Sequence, residues 1–311
     1  MKTGEILGRM KSIRQTVQIS NAQKLIAASR ISKARHMLDE AAPYHERIRQ
    51  AIAAALARCP EVASNYLADD SFVPKKRGVL MMTSDRGLAG GYNSNLIKFT
   101  EQTLAEQSAE RLMVIGQVGW NQMNRNGYQP TKPLDLSVDP PTLFVARELA
   151  ERLMRMFEEG EFDCLDVVYT HFYSPIRLNP TVMRLFPLPP TAFGPPPNEL
   201  MLDVAFEPSP EAVMGMLIPK YLKGFLYGCL VHAWASELAS RITAMDNAIS
   251  NGNEILEALS LAYNRARQAS ITQEITEIVA GALSLRKQNV FLAPPKARRL
   301  QTMEGLVNPN G

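Results

Sequence analysis

The sequence predicts an α/β domain inserted in an antiparallel two-helix coiled coil that the two ends of one chain form. Three observations support this fold class: a helical segment with an apolar seam at each end, and alternating strand and helix patterns between them. The predicted boundaries are 1–58 for the first helix, 59–208 for the α/β domain, 209–285 for the second helix and 286–311 for an irregular basic tail.

The first segment has a helical composition, rich in alanine, arginine, lysine, glutamine and isoleucine. Alternating steps of four and three from Ile6 reach Ala41, and eight of the ten positions after Ile6 are apolar. This spacing of 3.5 residues is typical of a coiled-coil seam. Ser20 and Lys24 interrupt the seam, and Pro43 is expected to kink or divide the helix.

The middle segment alternates short apolar runs with helical patterns, which predicts a small Rossmann-like α/β domain. A helical pattern extends to about Ser108, and another covers 142–159. The predicted strands are Val79–Thr83, Leu112–Ile115, Leu165–Phe172 and Thr181–Phe186.

The last long segment has a second seam, which starts at Leu217 and ends at Ala266 without a charged residue. Asn251-Gly252-Asn253 is its one local weak point. Because a single seam cannot bury itself, the two terminal helices are expected to pair with each other.

Composition excludes several classes of protein. With 311 residues and 46% hydrophobic residues the chain can bury a core, and a net charge of +3 is too small to indicate a nucleic-acid binder. Cys59, Cys164 and Cys229 are widely separated, so we expect buried thiols in a reducing compartment. The chain starts without a secretory signal and has no apolar run of about 18 residues, so membrane association is expected only through partners.

A glycine-rich segment, Thr83–Asn93, follows a predicted strand and precedes a helix, which is where α/β sheets often bind phosphates. It lacks the Gly-Lys-Ser/Thr of a phosphate-binding loop. A nucleotide loop and a structural turn both remain open, and the turn is favoured. The four histidines show no metal-ligand spacing and no catalytic triad is visible, so neither a cofactor nor a metal site is expected.

Two surface features have alternative explanations. The basic residues of the first helix form either a nucleic-acid face, a solvated exterior or a face for an acidic protein; they are Lys24, Arg30, Lys33, Arg35 and Arg47. The polar segment Arg265–Glu274, after the second seam, is either a solvated helix end or a tip that other subunits grip. The grip is suggested by Ile275, Ile278, Val279 and Leu283, which would otherwise be exposed.

Three segments in order resemble the γ subunit family of F-type ATP synthases. They are IRQTVQISNAQKLIAASRISKAR at 13–35, TSDRGLAGGYN at 83–93 and LAYNRARQASITQEITEIVAG at 261–281. The resemblance covers about residues 4–284. It implies a non-catalytic rotor shaft whose C-terminal tip turns inside a ring of α and β subunits. The α/β domain would be a foot on the ε subunit and the membrane c-ring, in a bacterial complex at the cytoplasmic side of the cell membrane.

By resemblance, Arg267, Gln268 and Thr272 match positions that hydrogen-bond a β-subunit loop, and Glu207 matches a foot position near the c-ring. The resemblance also favours the structural turn over the nucleotide loop. Departures exist: Ala89 replaces a common cysteine, and Gln23 stands where methionine is frequent. The tail after Leu285 has no family counterpart.

The leading hypothesis is therefore mechanical: the chain transmits c-ring rotation to the catalytic β subunits and couples ion translocation to ATP synthesis or hydrolysis. An alternative is an α/β nucleotide-binding protein with a coiled-coil dimerisation arm. A third is a structural coiled-coil adaptor on a charged partner.

Overall fold

The computed structural model describes residues 3–60, 62, 64–69, 71–133, 139–196, 206–207 and 209–291. The chain divides into two compact units. One is Thr16–Gly252, and the described residues before Thr16 and after Gly252 belong to the other. The first unit holds the sheet and the parts of the two long helices that pack against it.

The N-terminal helix α1 (Thr3–Arg58) is continuous, with Pro43 inside it. Of the two expected effects of Pro43, division of the helix is therefore wrong, and a kink stays a prediction. A proline removes one backbone hydrogen bond, but the next turn is held by tertiary packing, because the His45 ring lies 4.6 Å from the Tyr221 ring. Packing on a neighbouring helix therefore compensates for the lost bond.

The predicted seam of α1 is its buried face. Every seam position from Ile6 to Ala41 is buried or half-buried, while most of the intervening positions are exposed. Both interruptions are accommodated: Ser20 is 6% exposed, and Lys24 Nζ lies 2.5 Å from Asp246 Oδ1. Lys24 keeps its charged end at the helix boundary while its stem follows the seam.

The C-terminal helix α5 (Pro210–Phe291) packs antiparallel to α1 within the unit Thr16–Gly252. Lys24 pairs with Asp246, and His45, further along α1, stacks on Tyr221, which is earlier in α5. Small and apolar side chains form the cluster between these points: Ala27, Ala34, Phe172, Trp234, Ala235, Leu238 and Ala239.

Four strands form a mixed sheet in the order β2-β1-β3-β4. β1 is parallel to β2 and to β3, and β4 is antiparallel to β3. β4 begins at Arg177 rather than at the predicted Thr181. The strands are β1 (Arg77–Met82), β2 (Arg111–Ile115), β3 (Cys164–Ser174) and β4 (Arg177–Phe186).

Alternate residues of β1 enter two cores on opposite faces of the sheet, as the period of two requires. Leu80 and Met82 belong to the core that includes α4 and parts of α1 and α5. Val79 and Met81 pack with α2 and α3. The helices are α2 (Tyr92–Glu106), α3 (Gln117–Arg125) and α4 (Leu143–Glu158), and a short 3-10 turn covers Pro190–Phe193.

Three smaller expectations need correction. Helix α5 continues to Phe291 instead of ending at 285, and residues 292–311 of the predicted tail lie outside the described residues. Asn251-Gly252-Asn253 lies in unbroken helix, with Gly252 buried. Of the cysteines, Cys164 and Cys229 are buried as expected, whereas Cys59 is only half-buried.

Candidate functional site

The last part of α5 has no buried face. Ala266 is the final half-buried position of the predicted seam, and every residue from Arg267 to Leu285 is exposed. The predicted contact residues Arg267, Gln268 and Thr272 all lie here, within two turns of one helix. The structure therefore brings these three side chains together on a surface that intramolecular packing leaves open.

The side chains of Arg267 and Gln268 keep hydrogen-bond donors available for a partner. The Thr272 hydroxyl donates to the Gln268 carbonyl within the helix at 2.9 Å. Among the described residues, no carboxylate lies within 4.0 Å of the Arg267 guanidinium. Arg267 can therefore offer its planar fork to an external carboxylate, and the Gln268 amide can add neutral hydrogen bonds.

An apolar stripe accompanies these polar groups. Its members are 46% to 72% exposed and recur at helical spacing: Ile271, Ile275, Ile278, Val279 and Leu283. Monomeric proteins rarely leave such a row of large aliphatic side chains in water. The combination of donors and an apolar stripe is suited to a protein partner that surrounds or grips this helix.

Glu207, the predicted foot residue, is exposed in a bend shortly before α5 begins at Pro210. It belongs to the unit Thr16–Gly252, whereas Arg267, Gln268 and Thr272 belong to the other unit. Its exposure makes the carboxylate available to a partner.

The glycine-rich loop between β1 and α2 docks on α5. The Ser240 hydroxyl donates to the Ala89 carbonyl at 2.7 Å, and the Arg241 guanidinium donates to the Gly87 carbonyl at 2.7 Å. Gly90 has a φ of +54°, and a Cβ there would lie 3.2 Å from Ser240 Oγ. These contacts give the loop a structural task, since its glycines permit the close approach of α5.

The half-buried charges beside this loop form an ion pair that was not predicted from the sequence. The Arg241 guanidinium donates to the Glu237 carboxylate at 2.5 Å. Burial raises the pKa of Glu237, and the hydrogen bond from Arg241 opposes this shift. The spacing of four between Glu237 and Arg241 on a predicted helix was the available signal.

Asp139 belongs to the same region. It accepts a hydrogen bond from Trp234 Nε1 at 2.9 Å and pairs with Arg30 at 3.2 Å. Arg30 was interpreted only as part of a basic face, because sequence separation hid its partner. No group of three or more histidine, cysteine or acidic side chains suited to a metal ion occurs in the part of the chain that the structure describes.

Comparisons with known proteins agree with the resemblance. A family model described as ATP synthase matches residues 2–285. The ATP synthase gamma chain of Acetivibrio thermocellus is 42% identical over 91% of this chain and 98% of its own length. That of Ruminiclostridium cellulolyticum is 42% identical over 90% and 98%, respectively.

Solved structures share the fold. The central stalk and c-ring structure of the Tetrahymena thermophila mitochondrial ATP synthase contains a chain that matches with a TM-score of 0.55, at 23% identity, covering 74% of this chain and 99% of that one. A chain of the Euglena gracilis mitochondrial ATP synthase rotor matches with a TM-score of 0.58, at 12% identity, covering 86% and 98%. Given a family match over nearly the whole chain and relatives at 42% identity, the chain belongs to the ATP synthase gamma chain family.

Proposed function

We propose that this chain is the rotor shaft of a bacterial F-type ATP synthase and transmits c-ring rotation to the catalytic β subunits. Its membership of the gamma chain family supports this role. The observation that carries the proposal is the end of α5, where Arg267 to Leu285 are all exposed although the stripe from Ile271 to Leu283 is apolar. Such a surface requires a covering partner.

The shaft itself would be an antiparallel coiled coil of α1 and α5. The seam positions of both helices are buried or half-buried, and the Lys24–Asp246 pair and the His45–Tyr221 contact give the direction of packing. A two-helix rod resists bending and twisting better than one helix, because every turn is supported from the side. Torque transmission needs this stiffness.

At the tip, Arg267, Gln268 and Thr272 would hydrogen-bond a loop of a β subunit within the ring of α and β subunits. Arg267 would contribute a charge-assisted contact to a carboxylate, and the other two side chains would contribute neutral hydrogen bonds. The apolar stripe would turn inside the ring without fixed polar partners, so that rotation meets few directional contacts.

At the foot, the α/β domain would bind the ε subunit and the c-ring, with Glu207 near the ring. Within the described residues, none of the helices combines the length and apolar character that a membrane span requires. We therefore infer a peripheral position on the cytoplasmic side of the cell membrane, held by partners. We expect no nucleic acid among its partners.

The chain itself would be non-catalytic, with ATP turnover in the β subunits. The loop Gly87–Gly91 follows a strand as nucleotide loops do, but its carbonyls at Gly87 and Ala89 are bound by α5. The segment has no lysine to reach phosphates, and its docking on α5 gives its glycines a structural reason, which together support the structural turn over the alternative of a nucleotide-binding protein with a dimerisation arm.

Co-purification tests the proposal most directly. The tagged full chain would be expressed with the α, β and ε subunits of the same organism, and complexes would be isolated and assayed for ATP hydrolysis. We expect a complex of α, β, γ and ε whose ATPase activity depends on this chain. Isolation of the chain without α and β, or as a homodimer that binds ATP, would contradict the rotor role.

A further inference from the structure

Two imidazole rings from different elements stack on each other in the unit Thr16–Gly252. The ring centroids of His171 on β3 and His232 on α5 are 3.9 Å apart, and the planes make an angle of 25°. The centroid of the Tyr173 ring also lies 4.4 Å from that of His171. The histidine pair therefore connects the end of β3 to α5.

The surroundings provide little to neutralise a positive charge on this pair. Among the described residues, no carboxylate lies within 4.0 Å of either ring. Titratable and charged groups face the pair from all packed elements: Arg35, Asp39, His45 and Glu46 of α1, Tyr169 and Tyr173 of β3, and Cys229 of α5.

The acidic groups in that set are not positioned to accept the charge. Glu46 is engaged by Arg49 at 2.6 Å and by Gln50 at 2.8 Å. Asp39 is exposed to solvent at the same cavity, and its carboxylate makes no ion pair within 4.0 Å with either ring. The Arg35 guanidinium lies 5.8 Å from the Phe172 ring, and so adds positive charge to the same region.

Both imidazoles favour their neutral form. Burial, with a smaller contribution from the charge of His171, lowers the pKa of His232 to about 4, although a hydrogen bond to the Phe172 backbone opposes the shift. Burial also lowers the pKa of His171. His232 Nδ1 has no hydrogen-bond partner, so a proton placed there would be buried without an acceptor.

We propose that the His171–His232 stack is an acid-sensitive clasp, which holds the end of β3 on α5 when both rings are neutral and releases it when one is protonated. A cavity of about 810 Å³ beside the pair gives the charged His171 ring room to turn toward water. The inference does not depend on the proposed rotor function.

The release would be local, because other contacts between β3 and α5 do not titrate. The Ser236 hydroxyl donates to the Thr170 carbonyl at 3.0 Å, and Phe172 packs in the cluster with Trp234 and Leu238. Residues up to Phe172 should therefore stay in place, while the segment from Tyr173 to the start of β4 loosens.

Linkage gives the size and sign of the effect. With a pKa of 6.5 once the end of β3 no longer covers the ring and about 4 in the stack, His232 alone raises the ratio of released to stacked forms about 20-fold between pH 7 and pH 5. The clasp is closed above pH 6.5 and weakens as the pH falls toward the lowered pKa. A second lowered pKa, at His171, acts in the same direction.

Hydrogen exchange on the full chain tests the proposal. Protection factors, corrected for intrinsic exchange rates, would be measured at pH 7 and pH 5 for peptides covering 171–178 and, as an internal control, for β1. We expect protection of 171–178 to fall at least ten-fold on acidification, with much less change in β1. In His171→Phe/His232→Phe, which keeps two stacked rings without titrating groups, the fall should disappear.

A matched control and a second measurement keep the test decisive. His36→Phe alters a histidine whose side chain is 74% exposed, and should behave as the unmodified chain does. If the double variant does not fold, a titration of the histidine Cε1–H resonances in the unmodified chain replaces it. Unchanged protection of 171–178 at pH 5, an equal fall in a folded double variant, or titration of His171 and His232 at or above the ordinary histidine pKa of about 6.5 would each overturn the clasp.

Discussion

The hydroxyl of Ser240 donates a hydrogen bond to the carbonyl of Ala89, at 2.7 Å, and so fixes the glycine-rich loop to α5. This bond joins residues that are far apart in sequence, and a side chain at Gly90 would crowd the Ser240 hydroxyl that donates it. The loop therefore fixes the sheet to the long helix, as the transmission of rotation along a shaft requires.

Replacing Gly90 with alanine should weaken this joint. The residue has a φ of +54°, and the new Cβ would lie 3.2 Å from Ser240 Oγ and 3.3 Å from Ala244 Cβ. Left-handed backbone costs an alanine about 1–2 kcal/mol, so we expect a loss of about 1–3 kcal/mol once the crowding is included. The measurement is the urea unfolding of the full chain.

The matched control is Gly87→Ala in the same loop. A Cβ at Gly87 would have nothing within 4 Å, so its effect should stay within about 0.5 kcal/mol. Equal losses in the two variants would show that the close approach at Gly90 has no energetic weight.

The same loop should not bind ATP. A phosphate loop offers backbone N–H groups and a lysine to the phosphates, whereas here Ser240 and Arg241 engage the carbonyls of Ala89 and Gly87, and the segment has no lysine. Equilibrium dialysis of the full chain with Mg-ATP at millimolar concentration should detect no saturable binding. A stoichiometric site would revive the nucleotide-binding alternative.

Asp166 should be among the most sensitive positions of the sheet. It is 4% exposed, accepts from Arg77 Nε at 2.7 Å and pairs with Arg184 at 3.0 Å. Asp166→Ala would leave the nearly buried Arg77 without its counter-ion, so we expect a loss of about 3–5 kcal/mol by urea unfolding.

Asp246→Ala provides the same substitution at an exposed ion pair. Its partner is Lys24, and the two side chains are 48% and 36% exposed, respectively. The loss should be within about 1 kcal/mol. If Asp166→Ala cost no more than Asp246→Ala, the buried ion pair would not be what stabilises this part of the sheet.

The sequence predicted the elements whose pattern is local and periodic. Both seams are the buried faces of their helices, and all four strands exist. Helix α3 was missed because Gln117–Arg125 has few apolar residues and contains Gly119. The glycine in this helix is required by a tertiary contact, since a Cβ at Gly119 would lie 2.4 Å from Thr83 Oγ1.

Contacts between distant residues were also beyond the sequence. The histidines showed no ligand spacing, and no local pattern indicated that His171 and His232 stack, because they are far apart in the chain. Trp234 and Asp139 likewise meet only in the folded chain. In contrast, the exposure of Arg267, Gln268 and Thr272 followed from the point where the seam ends, which is a local property.

The three thiols should differ sharply in reactivity. Burial raises the pKa of Cys164 to about 11, and it also raises the pKa of the buried Cys229. Neither forms thiolate near pH 8, whereas Cys59 is half-buried. A disulfide reagent at pH 8 should modify one thiol in the folded chain and the other two only after unfolding. Cys59→Ser should abolish the modification of the folded chain. If one thiol of the folded variant still reacts, Cys59 is not the reactive thiol.

The predicted β-subunit contact should be visible when Arg267, Gln268 and Thr272 are all replaced by alanine. These side chains are exposed, and the Thr272 hydroxyl bonds only to its own helix, so folding should be unaffected. A charge-assisted contact contributes about 1.5–3 kcal/mol and each neutral one about 1 kcal/mol. Losing them together should slow ATP hydrolysis and ion pumping at least ten-fold in the reconstituted complex.

A control of matched composition separates this contact from a general loss of polarity at the tip. Arg265→Ala/Gln273→Ala/Thr276→Ala removes the same three residue types from exposed positions of the same helix. Its Gln273 and Thr276 side chains bond only within α5, to Glu277 and to the Thr272 carbonyl. We therefore expect the control complex to keep its turnover and pumping. If the first variant also assembles, hydrolyses ATP and pumps ions at the unmodified rate, Arg267, Gln268 and Thr272 do not couple the shaft to the β subunits; if both variants fail equally, the tip acts through its overall polarity and not through those three contacts.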